Sequence, residues 1–295
     1  MNFEDMRQRI ATGEGFIAAL DQSGGSTPKA LKGYGIDESA WNGEDQMFAL
    51  IHQMRQRIIE SPSFGNGKVI GAILFEKTMD GESGGKPVPA RLAERGVVPF
   101  LKVDKGLEDE TDGVQLMKPM PELEALCARA LSLGVFGTKM RSVIKSNNPA
   151  GIRRIVEQQF DEGRRILATG LVPMLEPEYE IYAPDRTEGE RALLAAILEG
   201  LETLPEGEQV ILKLSIPVEA NLYRPLIGHP RVLRVVALSG GYSTEEACAK
   251  LAENEGMIAS FSRGLLQDLR HQQSNEEFDS TLAAAIDRIY RASVR

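Results

Sequence analysis

Eight short apolar runs, spaced along the whole chain, constrain the fold of this sequence more than any other feature. They predict strands near residues 15–20, 69–75, 97–102, 135–139, 170–175, 209–215, 232–238 and 256–261. Helical patterns separate most of the runs, and strands that alternate with helices form parallel sheets. Eight such strands within 295 residues favour an α/β fold with a single (β/α)8 barrel domain over residues 1–295.

The helical patterns are clear in most of the strand-to-strand intervals and less clear after the second, sixth and eighth strands. They fit residues 44–60, 121–133, 149–168, 187–203, 243–253 and 276–292, with shorter candidates at 87–95 and 218–227. One set of acidic residues in the fourth helical pattern is predicted to form a solvated helix face. These residues are Glu188, Glu190, Glu199 and Glu202.

The first strand-to-strand interval is irregular. Residues 23–43 are rich in Gly and Ser and are predicted to form a loop. The alternative fold is an open, doubly wound parallel sheet, which would be expected to carry a G-x-G-x-x-G fingerprint after its first strand. The sequence there reads D-Q-S-G-G-S-T, which favours the barrel.

Each apolar run ends in, or is interrupted by, charged or small polar residues. In a barrel of parallel strands the carboxyl ends of all strands gather at one face, where catalytic groups lie. The polar residues at these ends are Asp21, Glu76, Lys77, Lys102, Lys139, Arg141, Glu176, Glu178, Lys213, Ser239, Ser262 and Arg263.

Lys213 stands inside a strongly apolar run, Q-V-I-L-K-L-S-I-P. Such a run is typical of a strand buried on both faces. Burial removes water from an ammonium group and disfavours its charged form. A neutral amine is a nucleophile, and its usual product with a carbonyl compound is a Schiff base. The alternative is that Lys213 is half of a buried structural ion pair, because ion pairs also perturb buried groups.

Two short motifs at other strand ends complement this lysine. Lys139 and Arg141 are two residues apart, and residues i and i+2 of a strand point to one face, so both should project into one site. Glu176 and Glu178 flank Pro177, which leaves open whether the alternation continues there. Carboxylates beside a buried amine can shuttle the protons of Schiff-base chemistry. The alternative is that they are solvated in a loop.

Loops of small residues follow the seventh and eighth predicted strands. Ser239-Gly240-Gly241 follows the seventh strand, and residues 260–264, which include Arg263, follow the eighth. Glycine lets backbone amides approach an oxyanion, and barrels often bind phosphate at this pair of loops. Arg263 adds a bidentate donor. Either loop alone is also compatible with an ordinary turn.

A further loop of small residues contains Ser23 and Ser26 and comes directly after Asp21. It is a candidate for a second phosphate site, helped by Lys102 or Arg141, although a plain flexible loop fits the same residues. Together the residues predict a buried amine, proton-shuttling carboxylates and two phosphate sites. That combination suits reversible carbon–carbon chemistry on a phosphorylated ketose.

Composition excludes several other classes. The net charge of −9 argues against a nucleic-acid or anionic-membrane surface. No apolar run is long enough to span a membrane and the polar N-terminus lacks a signal-peptide core, so a cytoplasmic location is expected.

Cys127 and Cys248 lie in helical patterns and are expected to be core residues. His52, His229 and His271 show no metal-ligand spacing, so no metal is expected.

At these residues the chain resembles class I fructose-bisphosphate aldolases, especially the short bacterial form. The matching words occur in the family's order over residues 18–267: AALDQSGGST, FLKVDKG, VFGTKMRSVIK, LVPMLEPEYEI, VILKLSIP, ALSGGYSTEEA and ASFSRGLLQ. The resemblance implies a metal-independent, cofactor-free lyase of glycolysis or gluconeogenesis. It would cleave fructose 1,6-bisphosphate reversibly to glycerone phosphate and glyceraldehyde 3-phosphate, with a phosphosugar as its only implied ligand and no nucleic-acid or membrane partner.

The resemblance also implies roles for individual residues. Lys213 resembles the Schiff-base lysine, Glu176 the general acid/base of carbinolamine dehydration, and Glu178 a neighbouring carboxylate. Asp21 resembles the residue that handles the proton of the substrate C4 hydroxyl, and Lys139 would stabilise charge nearby. The C1-phosphate site would be formed by Ser239, Gly240 and Arg263. The C6-phosphate end would be formed by Ser23, Ser26, Lys102 and Arg141.

The sequence also departs from the animal members of that family. Met140 stands where they carry tryptophan, Gln22 where they carry glutamate, and Lys213 is followed by Leu-Ser instead of Pro-Asn. The sequence ends at Arg295 without their terminal tyrosine, and Tyr290 is not expected to replace it. The proton-exchange step attributed to that tyrosine is therefore expected to need another group, such as a carboxylate of the lysine network or water.

Two other functions compete with this interpretation. One is another Schiff-base barrel lyase, such as a transaldolase-like enzyme or a deoxysugar-phosphate aldolase, which would need a single phosphate site. The other is a non-catalytic protein that binds sugar phosphates. Lys213 together with Glu176, Asp21 and Lys139 argues against the second, because binding alone does not need an amine in a strand.

Overall fold

The computed structural model describes residues 1–294, and its centre is a sheet of parallel strands in which each strand pairs with the next along the chain. The barrel strands are β1 (Phe16–Leu20), β2 (Val69–Leu74), β3 (Val98–Lys102), β4 (Gly137–Ile144), β5 (Val172–Tyr179), β6 (Val210–Ser215), β7 (Val232–Leu238) and β8 (Ile258–Ala259). The ring closes where the amide of Ala19 donates to the carbonyl of Phe261 at 3.3 Å. This is the (β/α)8 barrel that the sequence predicts.

Helices connect the strands and cover the outside of the barrel. They are α1 (Phe3–Thr12), α2 (Ser26–Gly33), α3 (Glu44–Glu60), α4 (Glu76–Met79), α5 (Val88–Glu94), α6 (Leu123–Ser132), α7 (Pro149–Leu167), α8 (Arg186–Leu201), α9 (Thr244–Leu251), α10 (Arg263–Leu266) and α11 (Asn275–Ser293). Short 3-10 turns occur at Glu38–Ala40 and Arg224–Leu226. Within residues 1–294, no helix combines the length and the apolar character needed to cross a bilayer.

Two predictions of local structure were wrong. The interval 23–43 is not only a loop, because it contains α2, whose Thr27 and Leu31 pack into the core. Tertiary burial therefore outweighs the local signals of Gly, Ser and Pro. The candidate helix at 218–227 is reduced to one 3-10 turn, since Pro225 lies inside that turn and Asn221 adopts a left-handed φ of 64°.

Strands β4 and β5 extend further than the apolar runs indicate. They remain paired up to Ile144 and Tyr179, with Ser142 opposite Pro177. A proline cannot donate to a sheet ladder, but the ladder between β5 and β6 involves only Met174 and Leu175. On the side facing β6, the missing amide hydrogen of Pro177 therefore costs no hydrogen bond. The side-chain alternation of β5 continues through Glu178.

The lower part of the barrel interior is entirely apolar. Alternate residues of the strands meet there, including Ile17, Phe100 and Ile211, and helix α1 adds Met6 and Ile10 beneath them. This packing closes the amino end of the barrel. Any polar cavity on the barrel axis must therefore open at the carboxyl ends of the strands.

Candidate active site

The inward-facing residues change from apolar to charged as each strand approaches its carboxyl end. On β5, Val172 and Met174 belong to the interior core, whereas Glu176 and Glu178 line a cavity above it. On β6, Ile211 is followed two residues later by Lys213. This period of two is the ordinary alternation of a strand, so the same geometry that packs the core also presents the charged side chains.

The cavity has a volume of about 640 Å³. It collects most of the site residues that the sequence predicts: Asp21, Ser26, Lys139, Arg141, Glu176, Glu178, Lys213, Ser239, Gly240 and Arg263. Lys139 and Arg141 share this cavity, as their spacing predicts. The two predicted residues that do not line it are Ser23 and Lys102, which line an adjoining cavity of about 380 Å³ with Asp21, Ser26 and Arg141.

Glu176 links two lysines at the floor of the larger cavity. Its Oε1 lies 3.0 Å from Lys213 Nζ, and its Oε2 lies 3.0 Å from Lys139 Nζ. Lys139 Nζ is also 2.7 Å from Asp21 Oδ2. The side chains of both lysines and Glu176 are at most 5% exposed, so the chain of charges is almost completely withdrawn from water. Lys213 is thus ion-paired as well as buried.

The charged forms of Asp21, Lys139, Glu176 and Lys213 stabilise one another. Burial alone would raise the pKa of Asp21, but Lys139 and Lys213 outweigh it and hold the pKa well below its usual range. The pKa of Glu176 is lowered in the same way, with burial opposing and the same two lysines prevailing. Burial would lower the pKa of Lys139, yet Asp21 and Glu176 raise it. At neutral pH both carboxylates are therefore ionised.

Further ion pairs form the wall of the smaller cavity. Arg141 Nε pairs with Glu178 Oε2, and Lys102 Nζ lies 2.8 Å from Asp104 Oδ1. Asp104 Oδ2 also accepts a bond from the amide of Arg141 at 3.3 Å. Asp104 was not among the predicted site residues, although it stands two residues after Lys102, at the next position on the same face of the chain. The cations at this end are thus already paired with carboxylates.

The loop with Ser23 and Ser26 has a defined local structure. The hydroxyl of Ser26 donates to the carbonyl of Ser23 at 2.8 Å and accepts from its amide at 3.0 Å. Gly24 has a φ of 52°, the left-handed region that favours glycine. The loop is therefore an ordered turn at the start of α2, and it borders the smaller cavity.

The loop after β7 presents unpaired backbone donors. In the described structure, the amides of Gly240 and Gly241 donate to no protein acceptor. Gly241 also brings the backbone close to Arg263, whose Nη2 lies 3.9 Å from the position that a Cβ would occupy. Within residues 1–294 Arg263 has no carboxylate partner. Two free amides beside a free guanidinium make an anion-binding surface.

Sequence reasoning missed a buried arginine behind the first loop. Arg55 of α3 is 0% exposed, donates to Thr78 Oγ1 at 2.7 Å and to the carbonyl of Gln22 at 2.5 Å, and has no carboxylate partner in the described residues. Burial lowers the pKa of Arg55 to about 10, against the opposing field of Asp21. Gln22 in turn donates to Ser262. In the sequence, Arg55 looks like any polar residue of an amphipathic helix.

One prediction about the acidic helix face was partly wrong. Glu190 is 0% exposed and pairs with Arg186 inside the protein, at 2.7 Å between Oε1 and Nε. The other three glutamates of that set are exposed. An i, i+4 pair of opposite charges is usually a surface feature, so the sequence carries no signal that this one is buried.

Comparison with known families decides the classification. Residues 3–183 match the family model described as fructose-bisphosphate aldolase class-I, a span that exceeds half of the chain and contains Asp21, Lys139 and Glu176. The chain belongs to the class I fructose-bisphosphate aldolase family. Family and fold together support aldolase activity, which is a lyase reaction. Lys213 and Arg263 lie beyond the matched span.

Solved structures share the architecture of this class I aldolase family member. A fructose-bisphosphate aldolase from Plasmodium falciparum, solved in complex with TRAP and a small-molecule inhibitor, superposes with a TM-score of 0.80 at 19% identity and covers 98% of this chain and 94% of its own. A Corynebacterium glutamicum protein gives a TM-score of 0.56 at 16% identity, with coverage of 98% and 92%. At these identities the likeness shows the barrel fold alone.

Proposed function

We propose that this protein is a metal-independent fructose-bisphosphate aldolase that works through a Schiff base on Lys213. The observation that carries the proposal is the contact between Lys213 Nζ and Glu176 Oε1, at 3.0 Å on the floor of the cavity. It places a buried amine beside a carboxylate that can take its proton. With this substrate, the proposal includes a role in glycolysis or gluconeogenesis in the cytoplasm.

The reaction begins with the transfer of a proton from Lys213 to Glu176. The freed amine attacks the ketose carbonyl at C2 and forms a carbinolamine. Glu176 then returns its proton to the departing hydroxyl, water leaves, and a protonated imine remains. Because Glu176 is ionised in the resting site, it can act first as a base and then as an acid.

Carbon–carbon cleavage uses the ion pair between Asp21 and Lys139. Asp21 takes the proton of the C4 hydroxyl, the C3–C4 bond breaks, and its electron pair enters the imine to give an enamine. Lys139, held 2.7 Å from Asp21, stabilises the charge that develops on the C4 oxygen. Glyceraldehyde 3-phosphate leaves first. The proton that Asp21 took from the C4 hydroxyl is then returned, through water, to C3 of the enamine, and hydrolysis of the resulting protonated imine releases glycerone phosphate and regenerates Lys213.

The surroundings of the cavity support a substrate with phosphate at both ends. Ser239, Gly240 and Arg263 form a cationic, donor-rich surface at one end, which we assign to the C1 phosphate. Ser23, Ser26, Lys102 and Arg141 line the smaller, adjoining cavity, which we assign to the C6 phosphate. Phosphate oxygens are bound by such combinations of cations and amide or hydroxyl donors.

One observation favours a second candidate, an aldolase for a ketose with a single phosphate. Lys102 and Arg141 are already paired with Asp104 and Glu178, whereas Arg263 has no carboxylate partner among residues 1–294. On that account only the C1 end would bind phosphate strongly. Comparing kcat/KM for fructose 1,6-bisphosphate and fructose 1-phosphate separates the candidates, and the bisphosphate proposal expects the first value to be at least tenfold larger.

A cleavage assay with EDTA present tests the proposed function. We expect wild-type protein to release triose phosphates, and Lys213→Arg to abolish turnover because a guanidinium forms no imine. Lys118→Arg, at an exposed position away from the cavity, is the matched control and should retain full activity. Undiminished turnover by Lys213→Arg would refute the assignment.

A further inference from the structure

Arg186 is a buried cation in an unfavourable place for its helix. It is the first residue of α8, and a positive charge at a helix N-terminus opposes the helix dipole. Its side chain is 4% exposed, and its partner Glu190 is completely buried. Buried ion pairs are weak contributors to stability, because desolvation offsets their attraction. The position of Arg186 therefore calls for an explanation other than helix formation.

The guanidinium of Arg186 connects three separate loops at the carboxyl end of the barrel. It donates to the carbonyl of Ile181 at 3.4 Å, after β5, and to the carbonyl of Ile216, after β6. It also donates to the hydroxyl of Tyr242 at 2.9 Å, after β7. The second oxygen of Glu190 accepts from the amide of Val218 at 2.8 Å, which adds a further bond to the segment after β6.

Two of these contacts converge on the glycine loop after β7. The amide of Tyr242 donates to the carbonyl of Ser239 at 3.0 Å and so closes the turn that contains both glycines. The side chain of Ile181 packs under that turn, since a Cβ at Gly240 would lie 2.5 Å from Ile181 Cγ2. Arg186 donates to both Tyr242 and Ile181, the two residues that contact the loop whose amides are free.

The charge of Arg186 does not itself attract an anion. Glu190 neutralises it at 2.7 Å, and the arginine lies beneath the loop instead of lining the cavity. Its contribution is geometric, because the planar fork of a guanidinium can bind several acceptors in fixed directions. A phosphate-binding loop gains from such support, since free amides bind well only when they are already oriented.

We propose that Arg186 is a positioning residue that holds the Ser239–Gly241 loop ready for a substrate phosphate, acting through Tyr242 and Ile181. The inference rests on the proposed aldolase function for its substrate, but the loop's affinity for phosphate can be measured without turnover. The sharpest variant is Tyr242→Phe, which removes one hydroxyl and leaves the buried Arg186–Glu190 pair intact. Arg186→Lys keeps the positive charge but loses the planar guanidinium that donates to several acceptors at once.

The experiment measures kcat and KM for fructose 1,6-bisphosphate, and binding of inorganic phosphate by calorimetry. For Tyr242→Phe we expect KM and the phosphate dissociation constant to rise together by roughly three- to tenfold, the effect of one neutral hydrogen bond, with kcat changed less than about twofold. Arg186→Lys should show the same pattern with a larger rise. Tyr290→Phe, a hydroxyl on α11 without a hydrogen bond in the described structure, is the control and should match wild type.

A merely structural role would lower the melting temperature of Tyr242→Phe and leave KM and phosphate binding unchanged, and that result would overturn the proposal. If wild type binds phosphate but cleaves no ketose, the proposed function fails while the calorimetric comparison still decides the role of Arg186. If wild type binds no phosphate, the positioning role is overturned.

Discussion

Lys139 and Lys213 contact opposite oxygens of a single carboxylate, each at 3.0 Å. That carboxylate, Glu176, therefore senses the charge of both lysines. In the proposed mechanism Glu176 takes a proton from Lys213, which weakens its ion pair with Lys139, while Lys139 remains paired with Asp21. The proposal therefore couples imine formation to the handling of the C4 proton through one side chain.

The first prediction concerns Glu176→Gln. The amide is nearly the same size but cannot accept a proton from Lys213, so we expect kcat to fall by about 10²- to 10⁴-fold, the usual contribution of a general acid–base group. Steady-state cleavage kinetics measure the loss. Glu199→Gln, on the exposed face of α8, is the matched control, and an equal loss in both variants would show that the effect is not specific to the site.

The second prediction is a pH dependence of stability that arises from Asp21. Its pKa in the folded protein lies well below the ordinary value of 3.8 for an aspartate, so ionised Asp21 stabilises the fold at any pH above about 4. This stabilisation is lost as pH falls through the lower, folded value. Asp21→Asn should reduce the free energy of unfolding by about 3 kcal/mol between pH 5 and 9, because Lys139 loses a buried partner.

Urea denaturation of wild type and Asp21→Asn at several pH values measures this difference. It should stay constant from pH 5 to 9 and shrink below pH 4. The raised pKa of Lys139 adds no change in that window, since the stabilisation from its charged form is fully present below the ordinary lysine value of 10.5. A difference that grows as pH falls below 4 would contradict the assignment.

The third prediction concerns Arg263→Ala. The guanidinium has no carboxylate partner in the described structure and lies beside the free amides of the β7 loop. Losing one charge-assisted bond to phosphate should raise KM by roughly ten- to hundredfold, with a small change in kcat. Arg288→Ala, exposed on α11, serves as the control. A fall in kcat at unchanged KM would place Arg263 in the chemical step instead.

The fourth prediction compares two glycines with similar backbone strain. Gly240 and Gly228 have φ values of 59° and 77°, so the backbone strain of an alanine should cost about 1 kcal/mol of stability at either position. A Cβ at Gly240 would also clash with Ile181, whereas at Gly228 it meets open space. Only Gly240→Ala should therefore raise KM and weaken phosphate binding. Equal kinetics in the two variants would show that the loop's position is unimportant.

Much of the barrel and of its charged centre could be predicted because both depend on one local pattern. A strand that is buried on both faces must be apolar, so a polar residue at its end is conspicuous. Lys139, Glu176 and Lys213 were found in this way. The sequence alone left open whether the side-chain alternation continues past Pro177. It does continue, because the ladder between β5 and β6 ends before Pro177 and needs no amide donor there.

The missed residues share a different physical cause. Arg55, Arg186 and Glu190 lie on helices, where a charged residue looks the same whether it faces water or a loop packed above it. Arg55 contacts Gln22, Arg186 contacts Ile216 and Tyr242, and Glu190 contacts Val218, all of which are far away in the sequence. Helix α2 was missed for the same reason, because its packing outweighs its Gly- and Pro-containing sequence.

Borohydride trapping tests the central claim most directly. The protein is incubated with fructose 1,6-bisphosphate and EDTA, reduced with sodium borohydride, digested and examined by mass spectrometry. The account predicts a sugar-phosphate adduct on Lys213 that is absent without substrate and absent from Lys213→Arg. Cleavage of the substrate without any adduct, or an adduct on a different lysine, would contradict it.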